Sequence, residues 1–541
     1  MSLDWRFSSL DSRNHYFLYL SLLAGLLFIP GLGARDFWAP VEPRYAEIAR
    51  VMFAKGEWIV PTVNGDLYTD KPILFFWLVL LFSKFAGSVN EWTVRLPAAL
   101  SALGVVLTTY KLGKDFFTAR IGFISAAVLA TSARVIWEAR WAHVDMLFTF
   151  FFLLSMYFVA RFVFNKQNRN GMLLAYGAMA LATLTKGPIG VVLPALILLA
   201  FVVARREWQL LVESRLHWGI LVFLLVAAPW FILVNSATDG KWLNDFIYIH
   251  HWQRYTAGLG HRQPFYYYVV TLPLDFLPWT IFAVPALLAY KPSERLRDKP
   301  IALFFTLWFF VIFLFFTLSD TKRDLYLLPL LPTTALFVAV YFEDLVTGKQ
   351  PDGWFYRTLT LVFFNLLWVA CVSLPSATWF MRRDAFWPSI PSVLVIACGA
   401  LLTVYFVRRH SPWQVFLSIT LTMLVGAVSV AIWILPYLDQ YKSPRLFSLA
   451  VNRIVPANAP LYIYADTMTD FNFYTEREVI PVISSQAELQ KLLGQDQIGY
   501  LLIKEKDRER SGLIAEERIL VREGTAGRFW HLIALGTPHR P

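Results

Sequence analysis

The chain has 541 residues but only two cysteines, Cys371 and Cys398, both inside apolar stretches. That excludes a disulfide scaffold and a cysteine-rich metal site. Charge is also scarce: 16% of residues are charged, against 57% hydrophobic, whereas a soluble chain carries about a quarter charged residues. There is no GxGxxG or GxxxxGK[ST] loop to cradle a nucleotide. Internal repeats and low-complexity tracts are absent too. The net charge of +11 is spread singly and in pairs between apolar runs, which excludes a nucleic-acid surface and fits cytoplasmic loops of a membrane protein.

What is abundant is apolar sequence in runs of bilayer length. Thirteen spans can be placed, at 15–33, 95–113, 117–134, 146–164, 171–186, 188–204, 217–235, 267–290, 301–318, 325–342, 357–375, 387–407 and 413–436. The first lacks a small-x-small cleavage site and reads as a retained span rather than a signal peptide. With a cytoplasmic N-terminus, Lys111, Lys114, Arg120, Arg205, Arg206, Arg295, Arg297, Arg408 and Arg409 all fall in inside loops. The segment 72–87 would invert every later assignment if it spanned, so it is expected to lie in the interface. The reading is a polytopic α-helical membrane protein with its polar loops on one face, outside the cytoplasm.

From about Pro436 the composition changes. Residues 461–466, 479–483, 498–504 and 518–524 read as short strands, and 485–494 as a helix capped by Ser485. The expected division is a transmembrane domain over 1–436 and a small α/β domain outside the cytoplasm over 437–541.

Between the first two apolar runs lies ARDFWAPVEPRYAEIARVMFAKGEWIVPTVNGDLYTDKPILFFW, residues 34–77. Tyr45, Ile48, Ala49, Met52 and Phe53 recur at helical spacing, so an amphipathic interfacial helix is expected, with Glu42 at its start and Pro43 in its first turn. On the same outer face fall Tyr68-Thr69-Asp70-Lys71-Pro72, the run from Glu138 through His143 to Asp145, Lys186, His250-His251 with Arg254, and the run from Lys322 to Tyr326. A carboxylate among them can take a proton from an acceptor, and the cations can hold a phosphate. Each also has a plainer reading: Arg44, Glu47 and Arg50 as a solvated face, Lys186 as a side chain reaching out from a helix end, and His250 and His251 as neighbours that point apart. Asp145 at the start of a span is harder to read as structural.

EPRYAEIAR, W-x-V-P-x-x-N-G-x-x-Y-x-D-K-P-x-L-x-x-W, HVD, LTKGP, R-Y-T before H-x-x-P-x-Y-Y, and K-x-x-x-Y-L-L-P occur in this order over residues 15–340. Together they resemble the GT-C polyprenyl-phosphate-sugar glycosyltransferases, in particular the aminoarabinose lipid A transferases and, more distantly, the protein O-mannosyltransferases. The resemblance implies an inverting transfer from an undecaprenyl-phosphate sugar to lipid A or another envelope acceptor. Transfer to a protein or cell-wall glycan, or movement of the lipid-linked sugar across the membrane, are the alternatives. Membrane lipids are expected partners. The family's Asp-Glu pair is here Val41-Glu42, so the resemblance passes the catalytic role to Glu42 and Asp145. It implies that Arg44, Tyr45, Tyr68, Lys71, Lys186, Arg254, Lys322 and Tyr326 hold the lipid phosphate, and that Asp70 and His251 hold a divalent metal, zinc or magnesium.

Overall fold

A computed structural model describes residues 13–165, 170–253, 262–289, 300–349, 354–381, 383–466, 469–494, 499–525 and 528–535. The chain divides into two compact units. The first comprises Met1–Pro30, Thr69–Phe75 and Leu96–Trp433, and the second Gly31–Tyr68, Phe76–Arg95 and Ile434–Pro541.

The first unit is a helical bundle. Its leading elements are α1 (Arg13–Phe28), then, after α2 (Val41–Lys55) and α3 (Leu74–Ala86), the body of α4 (Glu91–Phe116), α5 (Ala119–Ala130), α6 (Ala133–Ala139), α7 (Val144–Phe164), α8 (Gly171–Lys186) and α9 (Ile189–Arg205). Among the described residues seven helices are long and apolar enough to cross a bilayer, or nine if two bent pairs each count as one span. The spans expected at 117–134 and 267–290 are those bent pairs. The first breaks by 66° between α5 and α6, and the second by 115° between Tyr267–Asp275 and the helix starting at Thr280. The helix over Asp324–Val346 is 89% buried, whereas only 17% of Leu216–Ala237 is buried. An apolar helix with most of its surface uncovered needs lipid around it. The protein is therefore a multi-pass membrane protein.

Close packing needs small residues where helices cross. A Cβ at Gly113 on α4 would stand 2.5 Å from the Gly122 Cα of α5. Thr118 starts α5 by accepting a hydrogen bond from Ile121 N.

The second unit holds α2, a small hairpin of β1 (Thr62–Val63) and β2 (Asp66–Leu67), α3, the first turn of α4 and the C-terminal sheet. Gly56 ends α2 at φ 64°. The sheet runs β4-β3-β5-β7-β6, from β3 (Leu461–Tyr464), β4 (Val482–Ile483), β5 (Gly499–Lys504), β6 (Ile519–Thr525) and β7 (Arg528–Leu535). β4, β3 and β5 are parallel, while β7 is antiparallel to β5 and to β6. Ser485 does cap Gln486–Leu493, accepting from Glu488 N. Several elements escaped the sequence reading, two of them central to the core. One is β7, whose RFWHLIAL alternates poorly because it is buried on both faces in mid-sheet. The other is the amphipathic helix Arg445–Ile454, which packs Phe447 and Val451 into the core.

Candidate active site

The expected amphipathic helix is α2, and it starts at Val41 with Glu42 in its first turn. Glu42 is fully buried. Arg35 reaches it through Nη1 to Oε2 at 2.6 Å and Nη2 to Oε1 at 3.0 Å. Arg95 approaches from the start of α4, through Nε to Oε1 at 2.8 Å and Nη2 to Oε2 at 3.0 Å. The Trp38 backbone N–H adds a bond of 3.1 Å to Oε2. These five donors use all the acceptor sites of the carboxylate. Burial pushes its pKa up, but the two guanidiniums outweigh burial and hold it at about 2. Arg95 also donates to the carbonyls of Leu32, Arg35 and Asp36. Glu42 is thus the hub that fastens the first outer loop to α4. A carboxylate so saturated is a weak proton acceptor, which the sequence pattern did not reveal because Arg95 lies 53 residues away.

Tyr45 and Tyr68 are brought together, both buried, with rings 6.3 Å apart, and Phe76 completes a three-ring cluster. Half-buried Arg44 acts electrostatically on Asp470, whose carboxyl is pushed up to about 6 by burial and by Asp466. Arg50 pairs with the buried Glu47 at 2.7 Å, so these two are not merely a solvated face.

In the first unit, Asp145 sits in the first turn of α7 and Lys186 is the last residue of α8. Both are buried, and Lys186 Nζ lies 2.5 Å from Asp145 Oδ1. The same ammonium stands 4.6 Å from the Tyr326 ring and 5.1 Å from the Phe148 ring. Lys71 and Arg323 add positive charge within electrostatic reach of Lys186. Four expected residues, Asp145, Lys186, Tyr326 and Lys71, therefore converge. Lys71 is 3.1 Å from the carboxylate of its neighbour Asp70. Lys322 donates to the carbonyls of Gln263 at 3.3 Å and Ser319 at 2.5 Å, tying two loops together.

A second network adjoins this one. His143 Nδ1 lies 2.8 Å from Glu138 Oε2, Glu138 is 3.3 Å from Arg134, and Arg134 also bonds Asp275 at 2.6 Å and Asp324. Arg134 and Asp275 were not anticipated. The signal was present in an arginine within an otherwise apolar window, which requires a partner.

Arg254 and the side chain of His251 lie outside the described residues. Among the described residues no group of three or more His, Cys, Asp or Glu side chains is placed to hold a metal, and Lys71 engages Asp70.

A family profile described as dolichyl-phosphate-mannose-protein mannosyltransferase matches residues 70–233. The chain is 31% identical over 444 residues to an undecaprenyl phosphate-alpha-4-amino-4-deoxy-L-arabinose arabinosyl transferase of Proteus mirabilis, covering 77% of this chain and 76% of that one. It is 27% identical over 490 residues to the enzyme of that name from Shewanella sediminis, covering 87% and 86%. Its fold is similar to the crystal structure of ArnT from Cupriavidus metallidurans bound to undecaprenyl phosphate, with a TM-score of 0.79, 21% identity, and coverage of 97% of this chain and 100% of that one.

Proposed function

From the premise that the chain belongs to the family of undecaprenyl phosphate-alpha-4-amino-4-deoxy-L-arabinose arabinosyl transferases, we propose that it transfers that amino sugar from undecaprenyl phosphate to lipid A. The reaction is an inverting displacement. An acceptor oxygen bonds to the anomeric carbon as the bond from that carbon to the phosphate oxygen breaks, and undecaprenyl phosphate leaves. The leaving group departs as a stable anion and needs no strong acid.

The observation that carries this reading is the buried Asp145–Lys186 pair, flanked by Tyr326 and Lys71 in the helical bundle. A charge pair at such a site is costly and is kept for function. Lys71 and Lys186 supply charge to the donor phosphate, with Tyr326 against the Lys186 ammonium. Lys322, already bound to two carbonyls, holds the loops that shape the site. As the phosphate draws the Lys186 ammonium towards itself, Asp145 is released to orient the acceptor and accept its proton. Glu42 is assigned a positioning role rather than catalysis, because its oxygens are saturated. The basic loops support a site on the periplasmic side of the inner membrane.

The test is transfer in proteoliposomes with the undecaprenyl-linked amino sugar and lipid A, read by mass spectrometry. The mass of lipid A should rise by one aminoarabinose residue. Asp145→Asn should lower kcat by about 100-fold or more. An unmodified lipid A with active donor present refutes the proposal.

A further inference from the structure

The sheet domain carries a charged cavity that the transfer chemistry does not use. Its volume is about 420 Å³, and its walls include Lys504, Glu505, Lys506, Asp507, Arg510 and Arg528. Three elements supply them: the end of β5, the short helix Glu505–Ser511, and the start of β7. Phe529, 55% exposed, adds an apolar wall.

The charges do not cancel. Glu505 is taken by Arg522, and Lys504 by Asp466. Arg508, on the same helix, pairs with Glu516 at 2.8 Å. Arg528 lies 3.8 Å from Asp466 across a carboxylate that Lys504 already engages. Lys506, Arg510 and Arg528 then face the cavity with Asp507 as their local counter-charge, and all three are exposed. Lys506 and Arg510 are four residues apart on one helix face, where like charges weaken a helix rather than stabilise it. A concave surface of one sign concentrates ligands of the other, and guanidinium groups match phosphate geometry. An exposed aromatic ring beside them offers a flat surface to a sugar.

We propose that this cavity docks the phosphate-bearing sugar headgroup of the glycolipid acceptor. The assignment rests on the transfer reading, since lipid A is a phosphorylated glycolipid. It gives the C-terminal domain a function distinct from donor binding: acceptor capture.

The full chain in lipid nanodiscs tests it by equilibrium binding, without donor, of phosphorylated lipid A and of the same lipid with its phosphates removed. The double variant Lys506→Glu, Arg510→Glu should lose about tenfold in affinity for the phosphorylated form and nothing for the dephosphorylated one. Arg453→Glu, an exposed arginine of the same domain outside the cavity, serves as the control for charge alone and should change neither. In turnover the double variant should raise KM for the acceptor and leave KM for the donor unchanged. Equal effects on both lipids, no effect, or the same loss in the control overturns the proposal. So does displacement of the lipid by millimolar inorganic phosphate, which would make this a free-anion site. If the wild-type protein binds phosphorylated lipid A selectively yet transfers no sugar to it, the transfer reading fails and the docking site stands.

Discussion

Replacing Glu42 by Gln separates a positioning role from a catalytic one. The wild-type carboxylate neutralises two buried guanidiniums, Arg35 and Arg95, through four charge-assisted hydrogen bonds. The amide keeps the shape but removes the carboxylate bonded to both cations, leaving only the weaker pull of Asp439 on Arg35 and of Glu91 on Arg95, and turns one acceptor into a donor facing a donor. Breaking a buried pair in this way costs about 3–5 kcal/mol. At roughly 2–4 °C per kcal/mol, Tm in detergent should fall by roughly 6–20 °C. Replacing Glu42, Arg35 and Arg95 together by Met should recover part of that loss, because the buried charges go together, while the carbonyls of Leu32, Arg35 and Asp36 lose the Arg95 donor. Transfer measured well below the new Tm should persist. An unchanged Tm with abolished turnover would refute the hub assignment and restore Glu42 as the base. The pH dependence has a definite sign. The folded pKa of about 2 lies below the ordinary value of 4.5. The stability Glu42 contributes is therefore complete above about pH 4.5 and lost as pH falls towards 2.

Glu47 behaves oppositely: burial outweighs Arg50 and lifts its pKa to about 7. Its contribution is complete below pH 4.5 and lost as pH rises through 7, so Glu47→Gln should stabilise the protein by about 1–3 kcal/mol at pH 8 and little at pH 4.5, read from denaturation midpoints. Lys186→Met should abolish transfer and destabilise by about 3 kcal/mol or more, whereas Lys186→Met with Asp145→Asn should be closer to wild type in stability while still inactive; additive losses would show that the pair is not coupled. Gly113→Leu should separate α4 from α5, since even a Cβ there meets the Gly122 backbone at 2.5 Å. Thermal unfolding should fall by several degrees, and an unchanged Tm would show the crossing to be looser.

Much of the architecture was legible because it depends on local sequence. Bilayer-length apolar runs, the periodicity of α2, the Ser485 cap and three of the short strands of the small domain all follow from patterns within a few residues. The bends at 66° and 115° did not, because an apolar run looks the same straight or broken. Nor did β7, whose buried position removes the alternation that marks a strand.

At the site, the sequence by itself determined which residue types sit on the outer face, and hence the class of chemistry: carboxylates and cations beside a bilayer, suited to a lipid-borne phosphate. Only the tertiary structure decided their division of labour. Asp145 meets Lys186 across 41 residues, and Glu42 meets Arg95 across 53. A carboxylate's role is set by how many donors reach it and how deeply it is buried, and both are properties of the fold rather than of spacing along the chain. Glu42, with five donors on its oxygens, is assigned to holding the loop, while Asp145, tied by a hydrogen bond to one ammonium, is the carboxylate proposed to serve a substrate.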